Sequence, residues 1–382
     1  MAFSAKDETS LSCPLAESQI LQVKRTMIQR KTKPTISQLF NFLIVFVFVS
    51  WILYFLRKVQ LEYSEDYYYE INEIPIETVT AKIAFEDNFQ DYDSVRMEFL
   101  NYKLDYHVKK LFNNCTAKKI LVMIPSRPSG FDHRMAIRRS WLKYEDSDII
   151  HKFIVGFDSN TWTRRRIDKE AKIYNDLVIT NIVDSYKNLS LKTYALLHWQ
   201  QTYCPDVSYL LKSDDDTVVH LPRLKYFIEK YFNPEVNRNQ DLIFGKVWEK
   251  VPLRTSPNDK WYTPKFAWKE AFFPNYCNGP TYLLTASAIS RVLNETPNSY
   301  LISVEDALFT GILAEKAGIK RIDHSRMFSE GINVKSGCTK DFPPQPWIIS
   351  GYGFFSDSFN FKENVSNPIS IATEQLFGLS CN

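Results

Sequence analysis

Two groups of carboxylates in this 382-residue chain have the residue types and placement for joint chemistry. The first is Asp214-Asp215-Asp216, which follows without a break on the apolar run Tyr209-Leu210-Leu211-Lys212-Ser213. The second is Glu305-Asp306, about ninety residues further on and directly before the apolar stretch Ala307 to Ala317. Three adjacent like charges are costly unless water or a cation holds them. A solvated acidic turn is one reading of the triplet, because charge runs commonly face water. A hard divalent cation is the other, because the acids follow directly on residues that read as buried strand. Glu305-Asp306 has a similar choice between a plain helix cap, favoured by the helix dipole, and the second half of a site.

The elements around the triplet bear on that choice. Ile120 to Ile124, Ile149 to Val155, Leu177 to Ile179, Ser208 to Leu211 and Leu242 to Val247 read as strands. Arg134 to Leu142, Arg164 to Tyr174, a segment with Leu191, Tyr194, Ala195 and Trp199 on one face, Leu224 to Phe232, Ala286 to Leu293 and Ala307 to Ala317 read as helices. Asn188 or Ser190 can cap the third of these. Asn275 to Tyr282 reads as a turn, Arg254 to Trp268 as a polar, aromatic, substrate-facing loop, and the tail from Asp341 as loop. Strands alternating with helices predict an α/β domain with a largely parallel central sheet flanked by helices. In such sheets ligands bind beyond the carboxyl ends of the strands, where the triplet falls. No G-x-G-x-x-G and no Walker loop is present.

The net charge of +3 shows no basic domain, which argues against nucleic acid as a partner. Leu39 to Leu56 is eighteen residues without a charge, preceded by Lys24, Arg25, Arg30, Lys31 and Lys33 and followed by only Arg57 and Lys58. That pattern predicts a single N-terminal transmembrane signal anchor over 36–56, with a cytosolic tail over 1–35. An acidic stretch from Gln60 to Asp93 suits a lumenal stem, set at 57–115, and 116–382 is the expected catalytic domain. Tyr67 to Tyr69 belong to the stem or dock on the domain. Sequons at Asn114, Asn188, Asn294 and Asn364 agree with a lumenal address, and Asn114, Asn294 and Asn364 are the expected glycosylation sites. Cys115, Cys204, Cys277, Cys338 and Cys381 would share that compartment, so at least one is free or pairs with another chain.

Several ordered motifs between about Lys119 and Asp323 resemble those of the β-1,3-galactosyltransferase and β-1,3-N-acetylglucosaminyltransferase family of Golgi type II membrane enzymes. Arg134 to Trp141 is similar to its R-x-A-I-R-x-T-W element. Glu170, Tyr174 and Asp176, then Asp184 to Thr193, resemble E-x-x-x-Y-x-D and D-S-Y-x-N-L-T-x-K-T. Lys212 to Asp216 resembles K-x-D-D-D, Tyr276 to Tyr282 resembles Y-C-S-G-x-x-Y, and Glu305-Asp306 with Gly311 resembles an E-D-V element with a later glycine. Each motif alone is weak, but their shared order is specific.

The resemblance implies a GT-A glycosyltransferase fold, a UDP-sugar donor, a glycan acceptor, a manganese ion and inversion at the anomeric carbon. It implies Asp216 as direct metal ligand with Asp214, and Asp214 or Asp215 at the donor ribose or sugar. Inversion by direct displacement needs one base on the acceptor side, for which Asp306 is the candidate, with Glu305 to orient the acceptor or shape the site. Arg134 and Arg138 share a helical face and are expected at the nucleotide or diphosphate. Lys212 either serves the donor or balances the acids. Trp261 and Tyr276 are sugar platforms or core residues, and Gly279 accompanies them on the sugar side. His324 is a candidate third metal ligand, with a surface histidine as the preferred reading. Ala307 replaces the motif valine, and Asn181 replaces an acid before the D-S-Y block. The alternatives are a catalytically silent membrane-anchored chaperone or partner subunit that keeps the fold, and a calcium-dependent lectin. The lectin lacks support because no EF-hand loop is present and lectin folds are mostly β.

Overall fold

Ile120–Ser126, strand β2, shows how the core is built. Leu121 and Met123 enter one hydrophobic cluster, while Ile120, Val122 and Ile124 enter another on the opposite face of the sheet. Alternation along a strand buried on both sides produces such a continuous apolar run. The computed structural model describes residues 48, 50–52, 106–107, 115–332, 337–352 and 368–381. Contacts divide the chain into two units, Met1–Pro75 and Ile76–Asn382. In the first, residues 48 and 50–52 are helical and exposed; no helix among the described residues is long and apolar enough to cross a membrane. Most of the expected anchor, nearly all of the stem, Tyr67 to Tyr69, Asn114 and Asn364 lie outside the described residues.

The second unit carries an eight-stranded sheet built from β1 (Tyr106–His107), β2, β3 (Ile149–Phe157), β4 (Leu177–Val183), β5 (Tyr209–Ser213), β7 (Leu242–Trp248), β8 (Tyr276–Thr285) and β9 (Lys320–Asp323). Their order across the sheet is β1-β4-β3-β2-β5-β8-β7-β9. Parallel pairing joins β4, β3, β2 and β5, and also β7 with β9; β1 and β8 run against their neighbours. Among the helices are α1 (Phe131–Arg139), α2 (Thr161–Tyr174), α3 (Leu189–Tyr203), α4 (Leu221–Phe227), α5 (Ala286–Asn294), α6 (Ala314–Lys316) and α7 (Pro368–Phe377). Helix α3 is buried nearly all round, through Leu196 and Leu197 as well as the predicted stripe. A small second sheet pairs β10 (Phe328–Glu330) with β11 (Ser350–Tyr352), and β11 with β6 (Val218–Val219) just after the acidic triplet.

Two expectations change. Asn275 to Tyr282 is largely the first part of β8, placed antiparallel between β5 and β7. The turn signal is nevertheless real: Gly245 pairs with Tyr282 and Val247 with Cys277, so four β8 residues, Asn278 to Thr281, face one β7 residue in a wide bulge. The tail after Asp341 also holds structure, because β11 and α7 lie within it and Ile369, Ala372 and Leu376 enter the core. Cys115 pairs with Cys204 and Cys338 with Cys381, and among the described residues Cys277 is the free cysteine, buried in β8.

Candidate active site

The parallel strands bring their carboxyl ends to one edge. Ser126 of β2, Asp184 after β4 and Asp214 to Asp216 after β5 all stand there, and β8, running the other way, starts at the same edge. Each of the three aspartates is half-buried. They are therefore neither an open charged loop nor a sealed core cluster. Asp214 donates its N–H to the Pro280 carbonyl (2.9 Å), which docks the turn on the β8 bulge. Asp215 accepts from Ser126 Oγ at 2.7 Å, and His133 Nδ1 lies 3.9 Å from its other oxygen. His133 belongs to no motif pattern, and only the fold brings it near.

Lys212 is fully buried, a costly place for an ammonium unless each donor finds a partner. Its Nζ lies 2.6 Å from Asp214 Oδ1 and 2.8 Å from Glu305 Oε1, and donates to the Gly279 carbonyl at 2.5 Å. Burial would lower its pKa, but Asp214 and Glu305 outweigh that and hold it above the usual lysine range. This lysine joins the two acidic motifs.

Glu305 is 4% exposed. Its Oε1 takes Lys212, and its Oε2 accepts from Thr193 Oγ1 (3.2 Å) and Tyr282 OH (3.1 Å). Both oxygens of Glu305 are thus engaged by partners within the protein. Asp306 is half-buried and accepts from the backbone N–H groups of Gly279 and Ala307, both at 2.9 Å. Burial and the Glu305 carboxylate beside it push its pKa up to about 7, against those two N–H groups and Lys212. A carboxylate of that basicity suits proton abstraction near neutral pH. Gly279 permits the approach: a Cβ there would lie 3.1 Å from Asp306 Oδ2 and 3.4 Å from Glu305 Oε1. Beyond Asp306 the helix opens into a widened π turn over Ala307–Leu313 before α6, a distortion common at functional sites. Thr310 closes that turn by donating to the Asp306 carbonyl at 2.7 Å.

Some expected donor residues face elsewhere. Arg134 has no exposure and makes a bidentate pair with Glu170 (2.9 and 2.6 Å), with further bonds to Ser126 Oγ, Arg127 O and Pro128 O. Arg138 forms a fork with Asp176 (2.7 and 2.8 Å) and stacks 4.0 Å over Tyr174. The shared helical face is real, but it packs α1 against α2 and β3 and offers no guanidinium to a diphosphate. Arg134 still acts on the site at one remove, through the Ser126 hydroxyl that holds Asp215. Lys212 likewise balances and ties the acids and has no surface for a donor.

Tyr276 is 6% exposed and packs beside Phe273 and Trp248, with Gly311 close behind it, so it is a core residue and not a sugar platform. Trp261 is 48% exposed and Tyr186 46% exposed, and the Lys260 ammonium lies over both rings, 4.5 Å from that of Tyr186 and 5.7 Å from that of Trp261. Burial, followed by Asp306, Glu305 and Asp214, raises the Tyr186 pKa, which sets this aromatic pair in the field of the acids. Tyr186 was legible only as part of the D-S-Y block. Asn188 takes the N-cap position of α3 without capping it; its Nδ2 donates to Val183 O at 2.8 Å and the side chain is buried, whereas Asn294 is exposed.

The donor set fits a hard cation in part. Asp216 is desolvated beside Asp215, has a raised pKa and makes no salt bridge among the described residues, which is the condition of a carboxylate suited to Mn²⁺ or Mg²⁺. Asp214 keeps one oxygen beyond Lys212. Among the described residues no three His, Cys, Asp or Glu side chains converge, so most ligands would come from outside the protein, as is common for nucleotide-bound metals. His324, at the carboxyl end of β9, is no surface histidine: it is half-buried against Phe232 and Phe244, and its Nε2 has no hydrogen-bond partner among the described residues.

The galactosyltransferase family profile matches residues 132–325, a span that includes both acidic motifs. Mouse β-1,3-galactosyltransferase 1 is 26% identical over 209 residues, 54% of this chain and 63% of that protein, so the match spans less than two thirds of this relative's length. The Caenorhabditis elegans β-1,3-galactosyltransferase bre-2 is 28% identical over 246 residues, 62% of this chain and 68% of its own. Human lactosylceramide 1,3-N-acetyl-β-D-glucosaminyltransferase is 26% identical over 267 residues, 66% and 68% of the two chains. Among solved structures, galactosyltransferase LgtC in complex with donor and acceptor sugar analogues aligns at 12% identity over 69% of this chain and 97% of its own, with a TM-score of 0.33. With the profile covering half of its length, this chain belongs to the galactosyltransferase family.

Proposed function

We propose that the protein is an inverting β-1,3-glycosyltransferase with a GT-A arrangement, moving galactose or an N-acetylhexosamine from a UDP-sugar to a hydroxyl of a glycan acceptor. The observation that supports this reading is the junction of the acidic triplet with Glu305-Asp306 through one buried lysine, Lys212, with the half-buried Asp306 held at the Gly279 N–H. Asp306 accepts the proton of the attacking hydroxyl. The hydroxyl oxygen forms the new bond to the anomeric carbon, the bond to the diphosphate oxygen breaks, and UDP leaves with that electron pair. Asp216, with Asp214 beside it, would hold a manganese ion, whose positive charge when bound stabilises the diphosphate leaving group. Trp261 and Tyr186 line the acceptor side, where an exposed indole can take the apolar face of a sugar.

A membrane-anchored Golgi enzyme with a lumenal catalytic domain belongs to the same proposal; the apolar run Leu39 to Leu56 and the disulfides Cys115–Cys204 and Cys338–Cys381 support an oxidising compartment. Against the silent-subunit reading stand the retention of both acidic motifs and their junction through Lys212. The test is UDP release by the full-length protein with a panel of UDP-sugars and Mn²⁺, with and without glycan acceptors. Acceptor-dependent release with at least one donor is expected, and no release from any combination by folded protein contradicts the proposal.

A further inference from the structure

Lys212 touches three motifs that lie far apart in the chain. An ammonium has three N–H donors, and all three are matched by partners: Gly279 O at 2.5 Å, Asp214 Oδ1 at 2.6 Å and Glu305 Oε1 at 2.8 Å. The side chain has no exposure, so water does not compete and no donor is left for a ligand. Gly279 is gripped from both sides, by Lys212 at its carbonyl and by Asp306 Oδ2 at its N–H (2.9 Å). Close packing leaves it no independent play, since even a Cβ there would come within 3.1 Å of Asp306. Any shift of the Gly279 peptide therefore moves the base.

We infer that Lys212 is a positioning residue: it clamps Gly279 and Glu305 so that Asp306 stands at a fixed place relative to the donor-side acids. The inference rests on the reading of Asp306 as base. Lys212 sits in a strand of the rigid sheet, one position from Leu211, which pairs with Val122 and Leu283, so the anchor itself is not free to follow the bulge. Glu305, the other arm, is locked by Thr193 and Tyr282.

The test compares Lys212→Met, Glu305→Gln and the double variant in the full-length protein, reading kcat of transfer and, separately, the Kd of UDP with Mn²⁺ by calorimetry. Loss of the clamp should lower kcat by about 10²-fold in Lys212→Met, the scale of a misplacement near 1 Å. UDP binding should change far less. Glu305→Gln, which keeps its shape and its bonds to Thr193 and Tyr282, should lower kcat with UDP binding unchanged, and it carries the test alone should Lys212→Met not fold. The double variant should be no slower than Lys212→Met, because residues that act as one unit are not additive. Effects on kcat that multiply, or UDP binding lost in step with kcat, overturn the clamp. A folded wild type that transfers no sugar overturns the base reading and the clamp together.

Discussion

At the residue scale, Gly279 is the glycine packed against both acids of the second motif. Its missing side chain lets Asp306 take a backbone N–H, and a methyl there would meet both acids of the second motif. Gly279→Ala should lower kcat by roughly 10–10²-fold through displacement of the base, with little change in melting temperature because the contacts are to side-chain oxygens; transfer kinetics beside a thermal melt check this. Asp306 must be ionised to act, so kcat/KM should rise with pH through about 7. A profile flat down to pH 5 would argue for another base. The acids themselves were legible from the sequence because their types and adjacency are unusual. The arginines misled because spacing shows that Arg134 and Arg138 share a face, and not that Glu170 and Asp176 wait opposite. Tyr276 misled for a similar reason, since an aromatic beside a motif looks the same whether it meets sugar or Gly311.

At the scale of elements, α1, α2 and β3 are joined by an ion network behind the site. His151 lies between Glu145 and Asp176. Burial disfavours its cation, but hydrogen bonds to Asp176 and Glu145 outweigh that and raise its pKa above 6.5. Its stabilising contribution is then complete below pH 6.5 and lost as pH rises through the folded pKa. Asp176 is the opposite case: burial would raise it, but His151 and Arg138 hold it down to about 2, so its contribution is present above 3.8 and lost as pH falls towards 2. Denaturant unfolding at pH 6 and pH 8 should show wild type losing more stability over that interval than His151→Gln; equal losses would contradict the pairing. None of this was visible in sequence, because it depends on β3 pairing with β4 at Phe153 and Leu177. Strand β8 was hidden for a local reason: Asn278-Gly279-Pro280 is turn chemistry, and it serves a bulge inside a strand.

For the molecule as a whole, the sheet topology is what converts two distant acidic motifs into one site. The alternation of strands and helices from Ile120 onward made the parallel half predictable. The antiparallel insertion of β8 was not, yet it carries Gly279 across to Lys212 and Asp306. Family membership agrees with this geometry and leaves the donor sugar open, since galactose and N-acetylhexosamines differ by few pocket contacts. The most direct measurement of the central claim is transfer by Asp306→Asn beside wild type, with Mn²⁺-dependent UDP binding followed on both. Removal of the base should cut kcat by about 10²–10⁴-fold while UDP binds as before. Transfer at the wild-type rate by the variant would contradict the account.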